Sequence, residues 1–142
     1  MADPAPGLPP PTPIGLTPYL TIRGGRGQEA SHFYAKAFAA KEVFRNLADD
    51  GKRLLHCRME IAGSILMFSD DFPDMRAGAE AAAPAGVLLH LQVDDADAWA
   101  SRAAAAGCEV TMPVTQMFWG ERYGQLRDPF GHSWSVGSTP KG

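Results

Sequence analysis

The sequence predicts an α+β fold in which two βαβββ modules form a curved eight-stranded cup, and three observations predict it. A pattern of strand, helix and further strands runs twice along 142 residues. The halves close on matching segments, Gly63-Ser64-Ile65-Leu66-Met67-Phe68 and Gly131-His132-Ser133-Trp134-Ser135-Val136. A single such module leaves the edges and part of its curved sheet uncovered, so two must pair, within one chain or between chains.

Met1 to Pro13 is rich in Pro and Ala and reads as a disordered or extended tail. Leu16 to Arg23 is an apolar extended run, and the Gly24-Gly25-Arg26-Gly27 connection lacks the spaced glycines or Lys-Ser/Thr of a phosphate loop. Phe33, Ala37 and Ala40 then recur at helical spacing within Glu29 to Ala40. Glu42-Val43 opens the next strand, Leu54 to Ile61 alternates with period two, and Asp70 to Gly86 mixes acidic residues, Ala, Gly and Pro as a linker.

The second half repeats the order. Val87 to Val93 is a strand, and Asp94 and Asp95 are suited to start a helix. Trp99, Ala100, Ala103 and Ala106 form its apolar stripe, and Gly107 ends it. Glu109-Val110 matches Glu42-Val43. Asp128-Pro129-Phe130-Gly131 supplies a turn former, a fixed φ and a residue tolerant of positive φ between the last two strands. The expected organisation is a tail over 1–13, a first module over 14–69, a linker over 70–86 and a second module over 87–142.

Strand periodicity sorts side chains into faces. Val87, Leu89, Leu91 and Val93 share one face with the helices, while Leu88, His90 and Gln92 face the cup. Leu20 and Ile22 are the helix-side residues of the first strand, and Thr17, Tyr19 and Thr21 the cup-side ones. Leu66, Phe68, Trp134 and Val136 belong to the core, which leaves Ile65, Met67, Ser69, Ser133 and Ser135 facing inward. In Leu54 to Ile61, Leu55, Cys57, Met59 and Ile61 oppose His56, Arg58 and Glu60, and the pattern does not choose which set meets the cup. A register slip of one residue would exchange all faces.

Composition narrows the function. The chain is 45% hydrophobic, with a formal charge of −3 and no Lys/Arg cluster, which argues against nucleic acid or an anionic membrane as partner and favours a small molecule or another protein. Cys57 and Cys108 do not make a disulfide framework, and a cytoplasmic setting is expected. No apolar run approaches the roughly 20 residues of a membrane span, and no basic segment followed by an apolar one opens the chain. No G-x-S-x-G nucleophile motif occurs, and Asp128 is accounted for by its turn.

The run from Phe118 to His132, FWGERYGQLRDPFGH, resembles the C-terminal signature of the vicinal oxygen chelate superfamily, the glyoxalase I, bleomycin-resistance and extradiol dioxygenase group, and in particular its PhnB-like branch. The resemblance covers about Leu16 to Gly137 and implies the paired βαβββ cup and a small-molecule ligand, and a homodimer is expected because one small cup covers its edge strands incompletely and the apolar and aromatic residues around Met117 to Trp119 can close it. Metal enzymes of the superfamily carry ligands at four positions, which in this chain correspond to Thr17, Met67, Leu88 and Ser135. A thioether, two hydroxyls and an alkyl group do not supply the roughly three converging N or O donors that a divalent ion needs. No metal or other cofactor is therefore expected.

The expected function is the binding or sequestration of a small organic molecule, with Tyr19, His56, Met67, His90, Trp119, Tyr123 and Ser135 as candidate contacts and no catalytic residue assigned. For His90 a hydrogen-bonded core role stands beside ligand contact. For Phe118 and Trp119 a packing or dimer-interface role does. The alternative is a metal-dependent lyase, isomerase or dioxygenase with a displaced site around His90, His56 and Glu60. His32 and His132 are expected to be surface or structural residues.

Overall fold

The computed structural model describes residues 8–140; the first seven positions of the expected tail and the last two residues lie outside the described residues. The first half comprises β1 (Tyr19–Ile22), α1 (Gly27–Phe38), β2 (Lys41–Leu47), β3 (Leu54–Ile61) and β4 (Ser64–Asp70), and a short 3-10 turn, Pro73–Arg76, follows. The second half comprises β5 (Leu88–Gln92), α2 (Ala96–Ala106), β6 (Glu109–Gln116), β7 (Arg122–Arg127) and β8 (Ser133–Ser138). The sheets have the orders β1-β4-β3-β2 and β5-β8-β7-β6. In each, the first strand runs parallel to the last and the remaining pairs are antiparallel. The structure thus has the α+β architecture of two βαβββ units, without a closed barrel.

Helix α2 follows its local signals. Asp95 accepts from the Ala98 N–H at 3.0 Å, and Gly107 closes the other end at φ 125°. Helix α1 begins earlier than Glu29, because its start is held by a residue distant in sequence. The Asp70 carboxylate, at the end of β4, accepts from the Gly27 N–H at 2.7 Å and from the Leu54 N–H at 2.6 Å. A Cβ on Gly27 would come within 2.2 Å of Asp70 Oδ2, so this close approach requires glycine. The glycine-rich stretch ahead of α1 therefore ends as a fitted joint and not as a slack connection.

The faces follow the alternation except at two strand starts, where Leu55 and Val87 are exposed and Leu54 is buried instead of Leu55. Leu20, Ile22, Leu66, Phe68, Leu91, Trp134 and Val136 are buried, as are Cys57, Met59 and Ile61. This settles the orientation of β3: its His56, Arg58 and Glu60 side lies opposite the helices. One continuous core joins the two halves around Tyr34 of α1, whose ring meets Phe68 of β4 at 5.8 Å and Trp134 of β8 at 5.6 Å between centroids. Phe38 approaches Trp134 more closely, at 4.5 Å. Module pairing within a single chain is thus built on buried aromatics contributed by both repeats. Both cysteines are free and buried, and burial pushes each thiol up to about 12, so neither is a poised nucleophile. Among the described residues no helix is long and apolar enough to cross a membrane.

Candidate functional site

The strand registers reveal an exchange between the repeats. Met67 and Ser135 hold equivalent places in the matched closing segments, and their parallel partners are Tyr19 and His90. Phe68 and Val136 are likewise equivalent, and their antiparallel partners are Cys57 and Gly124, so the preceding residues, His56 and Tyr123, also correspond. Each sheet therefore carries one tyrosine and one histidine side by side, with the two residue types exchanged between strands. Tyr19 and His56 rings lie 5.6 Å apart at 33°, and His90 and Tyr123 rings lie 5.9 Å apart at 21°.

In the first sheet, Tyr19 Oη lies 2.9 Å from His56 Nδ1. Burial, reinforced by the nearby Arg58 charge, lowers the His56 pKa from 6.5, which favours the neutral ring. With its proton on Nε2, that ring accepts from the tyrosine hydroxyl. Met67 is buried in the register row between Tyr19 and Arg58. Arg58 is only 5% exposed, and its guanidinium donates to the carbonyls of Pro10 at 2.6 Å and Pro11 at 3.2 Å. The part of the expected tail that is described, residues 8–13, thus touches this face.

The second sheet holds a longer chain of bonds. Ser135 Oγ lies 2.8 Å from His90 Nδ1, His90 Nε2 lies 2.9 Å from Gln92 Oε1, and Gln92 Nε2 donates to Glu121 at 2.7 Å. The directions agree when Ser135 donates to Nδ1 and Nε2–H donates to Gln92. The Ser–His contact does not form a nucleophile pair open to substrate, because Ser135 is fully buried. Gly137 makes room for this ring: a Cβ there would meet His90 Cε1 at 2.9 Å. Trp119 lies in the β6–β7 turn, 48% exposed, with its ring 6.0 Å from Tyr123. Phe118 beside it is 96% exposed.

The seven candidate contacts therefore fall into two groups. Tyr19, His56 and Met67 share one sheet, and His90, Tyr123, Ser135 and Trp119 cluster at the other. Among the described residues no hydrogen bond or ring contact joins the groups. A cavity of about 270 Å³ lies at the seam between β1 and β5, lined by Pro18 to Thr21 on one side and by Pro84, Ala85, Val87, Leu89 and Gly131 to Ser133 on the other. Tyr19 is its one member from the candidate set. His132 bridges the same seam, with Nε2 3.2 Å from the Thr21 carbonyl oxygen.

Three participants stand outside the seven candidate contacts. Gln92 and Glu121 complete the His90 chain, and Arg58 is the buried cation of the first sheet. For Gln92 and Arg58 the signal was the i, i+2 spacing from His90 and His56, whereas Glu121 carried no such spacing and spacing does not reveal hydrogen-bond partners drawn from elsewhere in the chain. The positions expected of metal ligands hold Thr17 before β1, buried Met67, 42% exposed Leu88 and buried Ser135. His56 and His90, the core of the displaced alternative, sit in separate groups. Among the described residues no cluster of three or more His, Cys, Asp or Glu could hold a metal ion.

A family model described as the Glyoxalase/Bleomycin resistance protein/Dioxygenase superfamily matches residues 17–136. The chain is 40% identical over 127 residues to the uncharacterized protein Rv0887c of Mycobacterium tuberculosis, covering 86% of this chain and 72% of that protein. Among solved structures, protein PA1353 from Pseudomonas aeruginosa is similar with a TM-score of 0.70 and 26% identity, over 91% of this chain and 100% of that one. The PhnB protein from Bacillus cereus is similar with a TM-score of 0.64 at 17% identity, over 87% of this chain and 98% of that one, a likeness of fold.

Proposed function

The chain belongs to the Glyoxalase/Bleomycin resistance protein/Dioxygenase superfamily, and we propose that it binds or sequesters a small, flat organic molecule without a resident metal. The observation that carries this is the paired arrangement of Tyr19 with His56 and of His90 with Tyr123. Each pair offers a ring face for stacking next to oriented polar groups, a combination suited to a planar heteroatom-bearing ligand. The donor set supports the metal-free part. Thr17, Met67, Leu88 and Ser135 do not make a divalent site, and both imidazoles are engaged in hydrogen bonds with their neighbours.

The same reading extends to a homodimer in the cytoplasm. The two ring pairs lie in separate groups within one chain, and a second copy would set the face of one sheet against that of another. The solvent-facing Phe118 and Trp119 offer apolar cover for such an assembly.

A screen of planar aromatic compounds, read by tryptophan fluorescence and melting temperature, tests the proposal. A ligand should quench fluorescence and raise the melting temperature by binding the folded state preferentially. Elemental analysis of protein purified without chelator should find no stoichiometric Zn, Ni, Mn or Fe. Retained stoichiometric metal that disappears in His90→Ala would replace this reading with the metal-dependent one.

A further inference from the structure

We propose that Arg58 is the anchor of a carboxylate-binding subsite on the face of the first sheet opposite the helices, with His56 and Tyr19 beside it, and that the Pro10–Pro11 segment covers it as a displaceable strap. This deepens the small-molecule reading and rests on it, by naming the ligand class as an organic monocarboxylate.

Among the described residues Arg58 is a buried cation without a counter-charge. It is 5% exposed, its Nε is buried and has no hydrogen-bond partner, and among the described residues no carboxylate lies within 4.0 Å of it. Glu60, two residues along the same face, is exposed and is not its partner. Removing a guanidinium from water is costly unless an anion and a full set of acceptors replace the hydration. Only two neutral carbonyls do so here, and they occupy the terminal nitrogens that a bidentate carboxylate would take. The carbonyl oxygens of Pro10 and Pro11 are therefore stand-ins for ligand oxygens.

The strap is weakly held in other respects. Leu8, Ile14 and Leu16 are all exposed, so among the described residues no large apolar side chain fixes the segment on the sheet, where Pro10 is half-buried. The proline-rich backbone has few N–H groups to pair and reaches the face mainly through those carbonyls. The charge balance favours a monoanion. Arg58 supplies one positive charge and His56 is disposed to stay neutral, so a dianion would remain half uncompensated. Beyond the carboxylate, the Tyr19 and His56 rings offer a surface for a flat organic body.

Titration of the full-length protein with benzoate, and with uncharged benzamide as its near-isostere, tests this by calorimetry and by the Arg Nε–H resonance in 15N-resolved spectra. Benzoate should bind at least tenfold more tightly than benzamide and shift the Arg58 Nε–H signal. Arg58→Gln should lose at least tenfold in benzoate affinity, Arg58→Lys should recover part of it, and a Pro10→Gly/Pro11→Gly variant should bind more tightly through a looser strap. Equal binding of benzoate and benzamide, or undiminished affinity in a folded Arg58→Gln, would overturn the subsite while leaving a small-molecule binder standing. An unmoved Arg58 signal at saturating benzoate would overturn it in the unmodified protein, whether or not the variants fold. The broad screen described above separates the two claims: hits that ignore Arg58 sink only the subsite, and no hits sink the reading beneath it.

Discussion

The Tyr34 phenol on α1 donates to the Asp128 carboxylate in the β7–β8 turn at 2.6 Å, a buried bond between residues 94 positions apart that ties the first repeat to the second. Asp128 also accepts from Trp134 Nε1 at 2.9 Å and from the N–H groups of Phe130 and His132 at 2.9 and 3.0 Å. One turn aspartate thus shapes the hairpin and fastens an aromatic side chain from each half.

Tyr34→Phe keeps the ring contacts and removes the hydroxyl. It should cost about 1–3 kcal/mol in urea unfolding, since Asp128 is left buried with one acceptor position unfilled. Burial first, and then the Asp128 charge and hydrogen bond, hold the Tyr34 pKa well above 10.0. The unfolded chain ionises near 10 while the folded protein keeps the proton. This contribution is therefore complete below pH 10 and falls as pH rises beyond it. A stability-against-pH series on the native protein and Tyr34→Phe should show a shallower alkaline loss in the variant.

His56 predicts an acid-side effect of the opposite sense. Its folded pKa is lowered from 6.5 by burial and by Arg58, so the unfolded chain takes up the proton first. The contribution is present above pH 6.5 and is lost as pH falls through that value toward the folded pKa. His56→Gln, followed by thermal melts from pH 7.5 to 5, should flatten this part of the profile.

Two strand glycines should respond unequally to alanine. At Gly124 a Cβ would stand 2.8 Å from Val114 Cγ2 and 3.0 Å from the Met112 carbonyl oxygen, so the β6 backbone must move. Gly124→Ala should cost about 1–3 kcal/mol, the usual range for overpacking. At Gly137 the obstacles are the ends of His90 and Gln92. Gly137→Ala should lower the melting temperature, through the unpaired Ser135 hydroxyl and without a backbone shift, while moving the His90 imidazole resonances as the ring swings from Ser135.

Light scattering at micromolar concentration should give twice the chain mass, and the interface should bury on the order of 1,200 Å² or more. Phe118→Ser with Trp119→Ser, both on exposed positions, should weaken association with little loss of monomer stability. A monomer in the unsubstituted protein would remove the dimer.

Much of the fold was legible because periodicity and the repeat are local properties. Alternation placed Leu20, Ile22, Phe68, Trp134 and Val136 in the core, and Asp95 and Gly107 marked both ends of α2. The resemblance carried by Phe118 to His132 pointed to the family that residues 17–136 match. The start of α1 was less legible, since the acceptor that holds its Gly27 N–H is Asp70, 43 positions away. Which side of β3 meets the helices was also undecided, because Cys57 and Met59 alternate with His56 and Arg58 at one period. Only tertiary structure set Tyr19 against His56, linked His90 through Gln92 to Glu121, and laid the Pro10 and Pro11 carbonyls on Arg58. Those relationships depend on strand order, register and side-chain reach across neighbouring strands, which are fixed when the sheets assemble around one core and leave no mark in the local spacing of residues.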